Sequence, residues 1–168
     1  MRVYLPATFS TLTELNESGV IHARSGWAFA VTDALREFYT AGHEEELSDV
    51  AFDQAALASL RLLAVGDVAK FPHRRVVVSA DVDDAHVTPV PDNGESVVRL
   101  EPASVELDDV AAIHVDVPDA EEATARAVKA IDAADLGDED AELTVGDAQD
   151  NWLAFYDPSE LPVLIELL

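Results

Sequence analysis

Three consecutive valines, Val76, Val77 and Val78 in RRVVVSADV, limit the architectures open to this chain. Successive residues of a strand point to opposite faces, so an unbroken β-branched run puts apolar groups on both. Such a strand belongs inside a sheet that is covered on each side. The segment WAFAV at 27–31 asks for the same setting. Trp27, Phe29 and Val31 share one face, while Ala28 and Ala30 leave room for a helix to approach the other.

Helices are expected between these strands. Thr8 and Ser10 can cap a helix running through about Glu17 and stopped by Ser18-Gly19. Thr32 caps DALREFYT with Asp33 at its electropositive end, and Gly42-His43 breaks it. Residues 44–64 form the longest predicted helix, with Leu47, Val50, Ala51, Ala55, Leu57, Ala58, Leu62 and Leu63 on a wide apolar face. A loop follows over 66–72. Asp119 and Glu122 make a D-x-x-E cap for an alanine-rich helix ending near Ala134. Asp157-Pro158-Ser159-Glu160 supplies a cap, an N1 proline and an N3 glutamate for a C-terminal helix.

RVYL at 2–5, ended by Pro6, AAIHVDV at 111–117 and WLAFY at 152–156 read as further strands. VVRL at 97–100 reads as an edge strand, and 83–95 as loop because of its two prolines and Asn93-Gly94. Strands alternating with helices imply an α/β fold. The expectation is one domain over residues 1–168, with a mixed, mostly parallel sheet of about five to six strands and flanking helices; α+β is the alternative.

Composition narrows the chemistry. Ten basic residues against 34 acidic ones give a net charge of −24. That charge repels phosphates and anionic bilayers, so neither nucleic acid nor membrane is an expected direct partner. Only Lys70 and Lys129 are lysines, a skew that a GC-rich coding bias or a salt-adapted proteome would each produce. Without cysteine, disulfides, thiolate metal sites and thiol nucleophiles are excluded. No apolar run reaches the roughly 20 residues that span a bilayer, and the N-terminus does not read as a signal peptide. A cytoplasmic location is expected.

There is no phosphate-cradling glycine loop and no nucleophile elbow. His43-Glu44-Glu45-Glu46-Leu47 starts like a zinc-binding helix but lacks the second histidine. The densest acidic stretch, DAADLGDEDAE at 132–142, is out of register for a calcium loop. With Asp132 at position one, Ala134, Leu136 and Leu143 occupy places that need oxygen ligands. Gly137 reads instead as a left-handed helix stop sealed by Leu136, with Asp138, Glu139 and Asp140 opening the next segment. Asp132 and Asp135 then sit in a last helical turn, where negative charge opposes the dipole. They call for a basic partner such as Arg74, Arg75 or Arg99.

Asp33, Asp81, Asp116 and Asp157 all follow predicted strands at their carboxyl ends. In a parallel α/β sheet, ligands bind beyond those ends. The four aspartates are therefore candidate metal ligands, and His114, Asp116, Asp81 and Asp157 candidate acid–base groups. Helix starts and a turn account for Asp33, Asp157 and Asp81 equally well, and a hydrogen-bonded structural role accounts for His114. No cofactor is expected beyond a weakly bound divalent cation. Arg36 and Arg61 are placed to pair with Glu44–Glu46 or to bind an anion.

MRVYLPAT, AFAVTDALREFY, EEELSDVAF, ASLRLLA, RRVVVSADV, AAIHVDV and DAADLGDEDAE together resemble a family of small, acidic actinobacterial proteins of unknown function. The resemblance covers most of the chain and is weakest over 83–110 and the last dozen residues. It implies a single cytoplasmic domain and carries no catalytic or binding residues with it. With no catalytic motif, and with an apolar LPVLIELL at 161–168 that needs covering, the leading expectation is a protein-binding or self-associating module. The alternatives are a magnesium-dependent hydrolase of a phosphorylated small molecule, using the strand-end carboxylates, and a nucleic-acid mimic that occupies a basic protein.

Overall fold

A computed structural model describes residues 1–66 and 71–167; much of the loop expected over 66–72 lies outside the described residues. The chain runs β1 (Arg2–Ala7), α1 (Phe9–Ser18), β2 (Val20–His22), β3 (Trp27–Phe29), α2 (Asp33–Phe38) and α3 (Glu44–Ala64). Then come β4 (Val76–Asp81), β5 (Val87–Pro89), β6 (Val97–Leu100), β7 (Ser104–Glu106) and β8 (Val110–Asp116). It closes with α4 (Glu121–Asp135), α5 (Glu139–Gln149), β9 (Leu153–Tyr156) and α6 (Leu161–Glu166).

The valine run does form an inner strand. β4 lies within a seven-stranded sheet of order β5-β6-β3-β1-β4-β8-β9, and Val76, Val77 and Val78 are fully buried. The expected mostly parallel sheet is corrected, however. Every strand pairing, including the separate β2–β7 pair, is antiparallel, and the class is α+β.

The connections explain the difference. A strand–helix–strand unit does occur: β3 and β4 run in the same direction, joined through α2 and α3. Yet β1 is inserted between them and pairs antiparallel to both. Between β8 and β9 the chain makes two helices, not one, and a helical hairpin returns it to the end it left. β9 therefore pairs antiparallel beside β8, with Asp116 opposite Leu153. VVRL is not an edge strand; β6 lies inside β5, which forms where only loop was expected. Pro89 sits on that outer strand, where a missing donor is tolerated. Pro6 likewise lies within β1, opposite Val77, just past the point where β3 has left the pairing at Tyr4.

One face of the sheet, with Val3, Leu5, Val78, Ala80, Ile113 and Val115, packs against Phe9, Leu12 and Leu15 of α1 and Leu161 and Leu164 of α6. Leu161 and Leu164 of LPVLIELL are thus buried within the chain, whereas Val163 and Leu167 stay exposed and Leu168 lies outside the described residues. The opposite face, with Tyr4, Phe29, Val77 and Leu153, is covered by α2 and α3. Beyond α3 the α4–α5 hairpin buries Ala127, Ile131, Val145 and Ala148 around Leu60.

Local signals decide most helix ends. Thr8 and Thr11 form a reciprocal cap at α1, which Gly19 ends at φ 76°. Thr32 Oγ1 accepts from Leu35 N at 3.1 Å, capping α2. Gly137, at φ 93°, donates to Ala134 O, and Asp138 N reaches Ala133 O at 3.0 Å, closing α4 in a left-handed stop. Asp138 then caps α5, its Oδ1 accepting from Ala141 N at 3.0 Å. Two details depart from expectation. Leu136 is 89% exposed and seals nothing. The Asp119–Glu122 cap does not form, because Pro118–Ala120 makes a 3₁₀ turn that leads into α4 and leaves Ala120 at the cap position.

Candidate functional site

The four strand-end aspartates are not brought together. β3, β4 and β9 run in one direction and β8 in the other, so Asp116 leaves the sheet at the opposite end from Asp33, Asp81 and Asp157, and those three are held apart by the intervening strands β1 and β8. Asp116 ends β8 beside the start of β4, whereas Asp81 ends β4 at the far end, near Val110. Asp81 pairs with Arg2, whose Nε donates to Oδ1 at 2.7 Å and holds the carboxyl below its ordinary range. Asp33 pairs with Arg36 at 2.8 Å. Asp157 is drawn into the cap of the C-terminal helical turn: Ser159 N and Oγ donate to it, lowering its pKa. Among the described residues, no three histidine or carboxylate side chains are grouped as a metal ion requires.

Asp116 is held chiefly by Arg75. The backbone N, Nε and Nη2 of Arg75 donate to it at 2.7, 2.9 and 2.7 Å, and Thr124 Oγ1 adds a bond at 3.1 Å. Two further guanidinium donors go to Gln149 Oε1 and Asn151 O, both at 2.8 Å. Arg75 and Asp116 are each only 1% exposed. This cluster ties β4, β8, α4 and the end of α5 together, and its work is structural.

His114 occupies a different setting from Asp116, although both point to the α3 side of the sheet. Its Nε2 lies 2.9 Å from Ser79 Oγ, and Phe52 and Phe155 meet its ring at 4.8 and 5.8 Å. Burial, with a smaller contribution from Arg2, pushes its pKa down to about 4, so the ring is neutral near pH 7. Ser79 is itself buried within β4, so the hydroxyl is a hydrogen-bond partner and not a presented nucleophile. Arg2, Tyr4, Asp49, Phe52, His114 and Phe155 line a groove of about 320 Å³ at this end of the sheet.

The groove opens onto β9, the outermost strand beyond β8. An outer strand presents unpaired N–H and C=O groups along its free side. β9 carries no charge in residues 152–156, and Trp152 and Phe155 are 67% and 66% exposed. Asp150 and Asp157 flank it in the chain and are exposed, as is Asp49 across the groove. Sequence reasoning recognised the strand and His114 but missed this surface. The signal was present: WLAFY is an aromatic strand with no charge inside it.

A second concavity lies between α3 and the β3–β6 half of the sheet. It consists of two volumes of about 420 and 230 Å³ that share Phe29, Asn93 and Val97. Trp27 and Phe29 form part of its floor, and Ala58 and Leu62 of α3 its opposite wall. Arg24 and Ser25 line the larger volume, and Gln54 and Arg61 the smaller.

Residues 1–165 match a family of unknown function (DUF6912), and the chain belongs to that family. No curated protein and no solved structure matches the chain. Among the described residues, no helix is long and apolar enough to cross a membrane.

Proposed function

We propose that this member of the family is a cytoplasmic protein-binding module that takes an extended, basic segment of a partner protein onto β9 by strand addition. The observation that carries this reading is the open, charge-free edge of β9 with Trp152 and Phe155 exposed beside it. In strand addition the main chain supplies hydrogen bonds and alternate side chains fill neighbouring grooves. Here the groove beside Phe155 and His114 is the receiving pocket. Native proteins commonly blunt such an edge with lysine or proline, and β9 has neither within its span.

Charge selects the occupant. Asp49, Asp150 and Asp157 surround the edge, so lysine or arginine in the incoming segment is favoured. A second copy of this chain would bring another net charge of −24 to the same acidic rim, which disfavours self-association.

The test uses two synthetic peptides, one alternating valine with lysine and one alternating valine with glutamate, titrated into the ¹⁵N-labelled full chain. The lysine peptide is expected to shift the amides of residues 152–157 and of β8, and to weaken as salt rises. Trp152→Ala with Phe155→Ala should reduce binding about tenfold or more without lowering the melting temperature. The reading is overturned if neither peptide shifts those amides, or if the two bind alike. It is also overturned if light scattering shows a dimer whose formation perturbs β9.

A further inference from the structure

We infer that the groove between α3 and strands β1, β4, β8 and β9 is an aromatic cage for a quaternary ammonium group, carried by a trimethylated lysine of the segment added at β9. The identity of the carrier rests on the strand-addition reading; the cage does not.

Ring geometry is the first observation. Tyr4 on β1, His114 on β8 and Phe155 on β9 share the face of the sheet that α3 covers, and α3 sets Phe52 among them. Successive rings meet near right angles: Tyr4 and Phe52 at 5.9 Å and 84°, Phe52 and His114 at 4.8 Å and 79°, His114 and Phe155 at 5.8 Å and 71°. All four remain partly exposed. The small residues Ser79 and Ala112, paired across β4 and β8, line the same groove and leave about 320 Å³ open, enough for a compact cation. Aromatic rings set at angles around one space attract a cation through their negative faces.

Charge is the second. Asp49 lines the groove and makes no ion pair among the described residues. One turn along α3 stands Asp53, a like charge at i+4, and each carboxylate disfavours the other's ionisation. A cation seated beside Asp49 relieves that repulsion. The one cation lining the groove, Arg2, is held by both oxygens of Asp81 at 2.7 and 3.1 Å, which offsets its charge. Burial keeps His114 neutral near pH 7, so its ring adds no charge against a cation.

Hydrogen bonding is the third, and it selects the kind of cation. A primary ammonium carries three donors that must be satisfied when it leaves water, whereas a trimethylammonium carries none. Within the groove His114 Nε2 and Ser79 Oγ are already bonded to each other at 2.9 Å. The walls therefore offer ring surface more than acceptors, which favours the methylated group.

The test titrates choline and its neutral isostere 3,3-dimethyl-1-butanol into the ¹⁵N-labelled full chain. Ionic strength is matched with sodium chloride, because a chain of net charge −24 attracts any cation. Choline should bind saturably, with shifts confined to residues 48–53, 112–114 and 154–156, and the alcohol about tenfold more weakly. Phe155→Leu should keep the melting temperature and weaken choline about tenfold, and Asp49→Asn should weaken it about threefold. Trimethylating the lysines of the valine–lysine peptide should tighten its binding about threefold or more.

The cage is overturned if choline gives no saturable shift, if the alcohol binds as tightly, or if Phe155→Leu leaves choline binding unchanged. Equal binding of the trimethylated and plain peptides overturns lysine as the carrier. Choline needs no added strand, so the two readings fail separately. If it binds while neither valine peptide reaches β9, strand addition falls and the cage stands; if the lysine peptide binds and choline does not, the cage falls and strand addition stands.

Discussion

Arg61 and Asp135 form a two-pronged ion pair across the α3–α4 interface, with Nε to Oδ2 at 3.2 Å and Nη2 to Oδ1 at 2.9 Å. Asp135 stands in the last turn of α4, where its charge faces the negative end of the helix dipole. The arginine supplies the positive charge that this position lacks within its own helix, and it holds the Asp135 carboxyl below its ordinary range. The partner is neither Arg74, Arg75 nor Arg99. Arg74 pairs with Glu121 at 2.6 Å, Arg75 is buried against Asp116, and Arg99 stacks over Trp27.

Both members of that pair are about half exposed, so its contribution is small. Arg61→Ala should cost about 0.5 kcal/mol by urea denaturation, and the cost should shrink at high salt. Asp135→Asn should be close to neutral, since losing the pair is offset by relief of the dipole conflict. Because the carboxyl pKa is lowered in the fold, the pair's contribution is present above the unfolded value of 3.8 and disappears as pH falls below it.

Asp116 behaves oppositely because it is buried. Asp116→Asn leaves the Arg75 guanidinium without its counter-charge inside the protein, and should cost about 4 kcal/mol. Replacing Arg75 and Asp116 together by leucine should cost less than Asp116→Asn alone, since no charge then remains stranded. Denaturant unfolding of the three variants distinguishes these outcomes.

His114 gives the fold an acid-side slope. Its pKa falls from 6.5 to about 4 on folding. Between those values the unfolded chain binds a proton that the folded chain refuses, so stability is full above pH 6.5 and declines as pH falls toward 4. The loss should be about 2 kcal/mol, less than the whole shift implies because the ring is only half-buried. His114→Gln should remove the slope. Comparing it with the parent cancels Asp53, whose carboxyl burial pushes up.

The stop between α4 and α5 should be sensitive on both sides of the turn. Gly137→Ala places a Cβ at φ 93° and should cost about 1 kcal/mol. Asp138→Ala removes the bond from Ala141 N and should cost a similar amount, about 1 kcal/mol. Thermal unfolding of each single variant reads both.

Divalent cations should act on this chain only as counter-ions. With no grouped set of three ligands among the described residues, magnesium or calcium should raise the melting temperature no more than sodium chloride at matched ionic strength. A larger rise from one cation alone would reveal a site that binds it.

The candidate surfaces were only partly legible in the sequence. His114 was singled out as a catalytic candidate, and its nearest polar neighbour, Ser79, arrives from a strand 35 residues earlier. Alternation places Ser79 on the same face as Val77, but nothing local says which strand will lie beside it. Trp152 and Phe155 were read as part of a strand, yet only the strand order makes that strand an edge. The concavity between α3 and the β3–β6 half of the sheet was invisible for the same reason: Arg24, Asn93 and Leu62 are far apart in the chain and meet because β1 and β3 part.

What the sequence determined by itself was local: the buried valine strand, the span of α3, the left-handed stops at Gly19 and Gly137, and the caps at Thr8, Thr32 and Asp157. These follow from side-chain alternation, glycine's freedom at positive φ and short-range hydrogen bonds, all of which act within a few residues. The tertiary structure alone decided strand direction, the separation of the four aspartates and the choice of Arg61 for Asp135. Periodicity records which face of an element is buried but not against what. The insertion of β1 between β3 and β4, and the second helix of the α4–α5 hairpin, are long-range packing outcomes, and they set where every charge at a strand end comes to rest.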